Sequence, residues 1–187
     1  AYKSFKIIPL RINVILIIFF CLLGLSCQDI KPRKPLNKKM SVFLKNSAIR
    51  NKSRVQSEQV LINKARKLDT KNTYKDSNLG FLFSVKDQKS KSVFAKRGDF
   101  VEVKYKIEDL NQNLLYGEDD LQTVKFIVDK EEIIPALREG VKFLSEGDTG
   151  IFLFPSHFCY GYQGDSEKIG PNQPLRFIIK LVSLSNN

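Results

Sequence analysis

Ile133-Ile134-Pro135-Ala136-Leu137-Arg138-Glu139-Gly140-Val141-Lys142-Phe143-Leu144 opens the stretch that decides the fold, and Gly147-Asp148, Ile151-Phe152-Leu153-Phe154-Pro155 and Tyr160-Gly161 complete it. Pro135 suits the first position of a helix, where its missing N–H would have no helical partner. Leu137, Val141 and Leu144 recur at helical spacing and form one apolar stripe. Gly147 suits the position just past the helix end, where a left-handed backbone is cheap only for glycine. A short helix that is apolar along one side needs a surface to bury it, and alternating segments on both sides of it supply a sheet. The expectation is an apolar cup between the helix start and that sheet.

Working outward, Phe100 to Ile107 alternates cleanly, with Val101, Val103, Tyr105 and Ile107 on one face and Glu102, Lys104 and Lys106 on the other. Gly80 to Val85 reads as an earlier strand, and Lys86 to Lys91 as a polar loop. Asp109 to Gln112 turns the chain, Leu114-Leu115-Tyr116 forms a second short strand, and Gly117 to Gln122 is polar loop. Val124, Phe126 and Val128 line one face of another strand. After the helix come the strand Gly150–Phe154 and a final strand from Pro174 to about Leu184, with Leu175, Phe177, Ile179 and Leu181 on one face. Between these two, Pro155 to Asn172 has no regular period. A long irregular loop in a compact domain is usually functional or disordered. Five or six strands and one helix without βαβ alternation predict an α+β fold, an antiparallel sheet wrapped around one short helix.

The chain has 187 residues and a formal net charge of +11. Charge is unevenly placed. Residues 28–97 hold 19 Lys/Arg against 5 Asp/Glu, whereas residues 98–187 hold 9 against 15, so the folded half is mildly acidic. A basic tract can serve nucleic acid or an anionic membrane. Here aromatic residues are sparse in it, which argues against base stacking, and a solvated linker is the reading preferred. Cys21, Cys27 and Cys159 form no close pair and His157 is the one histidine, so neither a metal site nor a cofactor is expected.

Lys3, Lys6 and Arg11 precede an almost wholly apolar run from Ile12 to Leu25, long enough for a signal peptide and short of a membrane span of about 20 residues. Leu23-Gly24-Leu25-Ser26-Cys27 resembles a bacterial lipobox, in which cleavage leaves the cysteine as a lipidated N-terminus. Domain boundaries follow: 1–26 a lipoprotein signal peptide, 27–78 a basic tether with a helix near 50–68, and 79–187 the folded domain. The helix carries a partial stripe of Val55, Leu61, Ile62, Ala65 and Leu68 with no Gly or Pro inside. It either lengthens the tether or docks as an arm; whether it dimerises stays open. The expected location is the cell envelope, anchored to a membrane on its periplasmic side.

Lys96-Arg97-Gly98-Asp99, the Phe100–Ile107 strand, Val124-Lys125-Phe126, Ile133-Ile134-Pro135, Glu139-Gly140-Val141, Gly147, Pro155, Tyr160-Gly161 and the closing strand occur in the order and spacing of an FKBP-type peptidyl-prolyl cis-trans isomerase. The resemblance covers about residues 79–187. The lipobox, the basic arm, Asp109-Leu110-Asn111, Ile134-Pro135-Ala136-Leu137 and Ile169-Gly170-Pro171-Asn172-Gln173-Pro174 resemble more closely one branch, the gliding-motility-associated FKBP-like lipoproteins of Bacteroidetes.

The resemblance implies a substrate proline seated between sheet and helix, in proline-containing polypeptides. It assigns Tyr105, Phe126, Ile134, Tyr160 and Phe177 to catalysis and Leu115, Tyr116, Val124, Ile133, Leu137 and Ile169 to the substrate-binding wall. Phe126, Val124 and Phe177 would be wall residues, the Ile134 N–H an anchor for the peptide, and the Tyr160 phenol an orienting group. Leu137 falls where many members carry Trp, and Tyr116 where many carry Asp. Those two departures support the rival reading, a catalytically weak peptide-binding module or chaperone on the same fold, or a part of gliding or secretion machinery. On periodicity alone Phe126, Phe177, Val124 and Leu137 are also plain core residues. His157 reads as loop surface and Cys159 as a small packed side chain.

Overall fold

The computed structural model describes residues 38–86 and 93–185. The expected signal peptide, Cys27, the start of the expected tether and residues 87–91 of the polar loop lie outside the described residues. Helix α1 spans Lys38–Leu68. It begins well before the expected Arg50 because nothing between Lys38 and Arg50 breaks a helix: that stretch holds neither proline nor glycine. Among the described residues no helix is long and apolar enough to cross a membrane.

Strands β1 (Lys75–Asp76), β2 (Leu82–Val85), β3 (Phe100–Glu108), β4 (Leu114–Tyr116) and β5 (Val124–Ile127) follow. Helix α2 (Pro135–Gly140), a 3₁₀ turn (Val141–Phe143), β6 (Thr149–Phe154), a second 3₁₀ turn (Ser156–Phe158) and β7 (Leu175–Ser185) complete the order. The strands make one antiparallel sheet in the order β1-β2-β6-β7-β3-β4, with β5 also paired to β3. Seven strands therefore replace the expected five or six, the extra one being the two-residue β1. Two short strands share one edge of β3: β5 takes Phe100–Val103 and β4 takes Ile107 and Glu108. The expected architecture holds, an antiparallel sheet with one short helix laid on it.

Burial follows the alternation. Val101, Val103 and Ile107 of β3 and Phe177, Ile179 and Leu181 of β7 are fully buried, facing Leu137, Val141 and Leu144 of the α2 segment in one cluster. Strand β6 reads Thr-Gly-Ile-Phe-Leu-Phe, with no polar partner positions after its start. Both of its faces are covered: Phe152 and Phe154 join the α2 cluster, while Leu153 and Ile151 join a second cluster with Ile62, Ala65, Tyr74 and Leu82. A short continuous apolar run is what a strand buried on both sides requires. Helix α1 is thus a docked arm, and Ile62 and Ala65 are the residues of its expected stripe that are buried.

The α2 segment departs from one expectation. The helix stops at Gly140, tightens into the 3₁₀ turn and ends at Leu144 in extended backbone. Gly147 does have positive φ (86°), but it sits beyond the helix end, in the turn between Ser145 and Asp148, where its N–H donates to Leu181 O at 2.8 Å. Gly140 matters for packing: a Cβ there would stand 2.8 Å from Ile179 Cδ1, so the bare backbone lets the helix lie close on β7.

Candidate active site

The eleven side chains singled out from the sequence fall into one apolar cluster. Phe126, Leu137, Ile169 and Phe177 are buried in it; Tyr105, Leu115, Tyr116, Val124, Ile133, Ile134 and Tyr160 are partly exposed and pack against it. Strand pairing places several of them directly. Phe126 lies opposite Val101 and Val124 opposite Val103, one step along β3 from Tyr105. Ile107 lies opposite Phe177, and the rings of Tyr105 and Phe177 stack with centroids 6.1 Å apart and planes 6° from parallel. Phe154 meets Phe177 edge-on at 5.7 Å. The sheet therefore supplies a floor of rings, and the segment Ile133–Leu137 closes one side.

Ile134 is the residue preceding α2, extended at φ −50° and ψ 127°. Its carbonyl accepts from Leu137 N at 3.0 Å and Arg138 N at 3.2 Å. The helix has no side-chain cap. The first N–H groups of any helix lack intrahelical acceptors, so the Ile134 N–H is a donor left over by the geometry.

The phenols differ in what holds them. Tyr116 donates to Asp165 Oδ2 at 2.5 Å, and Lys168 Nζ sits 4.5 Å from the centre of its ring while donating to Leu115 O at 2.9 Å. The Asp165 hydrogen bond, together with the surrounding negative charge, pushes the Tyr116 phenol up to about 12. For Tyr160 burial is the main cause, with Tyr105 and Asp165 adding to it, and the result is again about 12. Burial alone raises Tyr105. All three are neutral O–H donors across the physiological range. Burial and the nearby Glu58 also push the Cys159 thiol up, so it packs as an unreactive group.

Sequence reasoning missed the residues that hold the long loop. Asp165 accepts from Glu167 N at 2.9 Å and Ile169 N at 2.8 Å as well as from Tyr116, which turns Ile169 inward. Burial would raise this carboxyl, but those hydrogen bonds outweigh it and hold it below the usual range. At the loop base Glu58 of α1 accepts from Ser156 N at 2.8 Å and Ser156 Oγ at 2.7 Å. Partners 49 and 98 residues apart leave no local pattern to read.

Two surface grooves lie away from this cluster. One of about 430 Å³ is lined by Lys86, Glu146, Asp148 and Thr149 among others, and one of about 380 Å³ runs between α1 and the Asp109–Asn111 turn. Neither touches the eleven side chains. The first mixes charged groups with the apolar side chains of Ile151 and Ile178.

Comparison with known proteins bears on the same region. Residues 91–182 match the family of FKBP-type peptidyl-prolyl cis-trans isomerases. A stretch of 53 residues, 28% of this chain, is 45% identical to a Neisseria meningitidis protein named "Probable FKBP-type peptidyl-prolyl cis-trans isomerase FkpA", and spans 20% of that relative. FK506-binding protein 2 of Yarrowia lipolytica is 31% identical over 98 residues, 50% of this chain and 65% of the relative. This chain thus spans less than two thirds of the length of either. The crystal structure of a peptidyl-prolyl cis-trans isomerase from Pseudomonas syringae pv. tomato superposes with a TM-score of 0.55 at 20% identity, over 72% of this chain and 96% of that one, and shares its fold.

Proposed function

We propose that this chain, which belongs through residues 91–182 to the FKBP-type peptidyl-prolyl cis-trans isomerase family, speeds rotation about X–Pro bonds in unfolded or extended polypeptides. Amide resonance holds such a bond planar behind a barrier of about 18–20 kcal/mol. Unassisted rotation takes tens to hundreds of seconds. No nucleophile or metal is needed to hasten it. The twisted amide carries less charge separation than the planar one, so a water-poor apolar seat destabilises the planar form relative to it, which is differential binding of the transition state. The observation that carries this reading is the meeting of Tyr105, Phe126, Phe177 and Tyr160 in one cluster beside the Ile134 N–H, which has no backbone acceptor among the described residues. Phe126, Val124 and Phe177 would wall the prolyl ring, with Leu115, Ile133, Leu137 and Ile169 around them. The Ile134 N–H would fix the peptide, and the neutral Tyr160 phenol would orient a carbonyl.

A prolyl-isomerisation assay on the full-length chain tests it. Tyr160→Phe should lower kcat/KM about fivefold, the size of one lost hydrogen bond of about 1 kcal/mol. Phe126→Leu, which nearly conserves volume, should cost roughly tenfold. Because the phenols titrate near 12 and no proton moves in the step, kcat/KM should be flat from about pH 6 to pH 10. A bell-shaped profile, or activity indifferent to both substitutions, would count against the assignment.

Leu137 and Tyr116 favour a second reading. Leu137 puts an aliphatic side chain at the helix side of the cluster, and the Tyr116 phenol is already committed to Asp165. A peptide-binding module, chaperone or part of gliding or secretion machinery would bind labelled proline peptides without catalysing their isomerisation. The finer parts of the proposal concern place. The apolar run before Cys27 supports a lipid anchor in the cell envelope, with exported or surface proteins as clients. Labelled palmitate should enter the protein and be absent from Cys27→Ala; label retained in that variant would refute the anchor.

A further inference from the structure

Resting on the isomerase reading above, we propose that Glu58 and Arg54 of α1 are positioning residues that set the loop carrying Tyr160 and Ile169 over the site. Glu58 is 4% exposed and Ser156 2%. A carboxylate buried so deeply is tolerated only where donors meet it. Ser156 supplies two, its N–H at 2.8 Å and its hydroxyl at 2.7 Å, and Arg54 Nε lies 3.6 Å from Oε1. Arg54 then reaches the far end of the same loop, donating from Nη1 to Asn172 Oδ1 at 2.8 Å. Between these two grips the loop closes on itself: Gly161 N donates to Ser156 O at 2.9 Å, and Asn172 N to Gly161 O at 2.7 Å. One helical turn of α1 thus holds both ends of the loop. Tyr160 adjoins Gly161 within that closure, and Asp165 fixes the Ile169 end from above. The family match begins at residue 91, so Arg54 and Glu58 lie outside the matched residues while Ser156 and Asn172 lie within them.

Charge-assisted hydrogen bonds fix geometry more firmly than neutral ones. Their loss should loosen the loop and weaken substrate contacts made by Tyr160 and Ile169. In the full-length chain, Glu58→Ala should therefore raise KM and lower kcat/KM roughly tenfold, with kcat changed less. Glu58→Gln, which keeps an acceptor for Ser156, should recover most of that loss. Arg54→Ala should show the same KM-weighted pattern at roughly threefold, and serves if Glu58→Ala fails to fold. Amide hydrogen exchange provides the second readout: Gly161 and Asn172 should exchange faster in the variants while Val103 and Ile179 keep their protection. Unchanged KM in a folded Glu58→Ala protein would overturn the proposal. So would acceleration spread evenly over loop and core, which marks α1 as a general brace. If the wild-type chain shows no isomerase activity, the functional reading falls, and the exchange of Gly161 and Asn172 alone decides whether the grip exists.

Discussion

Arg176→Ala is expected to lower the unfolding free energy by about 3–5 kcal/mol, measured by urea denaturation, because it strips buried Asp69 of its counter-charge and leaves buried Glu108 with Lys106 alone, at 3.1 Å. Arg176 is 7% exposed near the start of β7 and pairs with Glu108 of β3 and with Asp69 just past α1, the latter at 3.4 Å. Tyr74 donates to Asp69 Oδ2 at 2.8 Å and Asn72 donates to both Asp69 oxygens. Burial would raise the Asp69 carboxyl, but the Asn72 and Tyr74 hydrogen bonds and the Arg176 charge outweigh it, so it stays below its usual value. A depressed acid stabilises the fold above the unfolded value and loses that contribution as pH falls through the lower folded one. Wild-type stability should therefore decline below about pH 4, and the Arg176→Ala protein should show a shallower acid decline because part of the depression is gone. An Arg176→Ala protein within 1 kcal/mol of wild type, on the same urea measurement, would refute this account.

Gly164→Ala should cut kcat/KM by roughly ten- to a hundredfold while shifting the urea midpoint little. Gly164 has φ of 71°, and a Cβ there would stand 2.2 Å from Ile169 O and 2.9 Å from Gly170 C. Both obstacles are backbone and cannot swing aside. The Asp165 N–H to Ile169 O bond of 3.1 Å would open, and with it the turn that delivers Ile169 to the cluster. Gly161→Ala is the control: its φ of 60° is also positive, but a Cβ there meets nothing within 4 Å, so only the conformational strain of about 1 kcal/mol applies. Equal losses for the two substitutions would show that the close approach at Gly164 is unimportant.

How much of this was legible in the sequence depends on where each partner sits. Strands β3 and β7 could be read because alternation reports burial on one face, and Val101, Val103, Phe177 and Ile179 obey it. Pro135 announced the helix start because its chemistry is local. Arg176 could not be read: it occupies the position between two core residues that alternation assigns to solvent, and it is buried because Asp69 and Tyr74 cover that face. The docking face of α1 was hidden for a related reason. Arg54, Glu58, Ile62 and Ala65 share a side at helical spacing, but two of the four are charged, so a search for apolar stripes sees half of it. The cluster of eleven was reachable only through an ordered set of motifs, since no two of its strands carry a signal for each other.

The sheet's border has a consequence for association with other chains. Its long ribbons, the nine residues of β3 and eleven of β7, lie in the interior, whereas the outer strands β1, β4 and β5 have two, three and four residues. Unpaired strand rims invite foreign segments to add on, and very short ones offer too few donors and acceptors to hold them. Among the described residues, then, the molecule gives a visiting chain no template for cross-strand growth, and self-association by that route is discouraged.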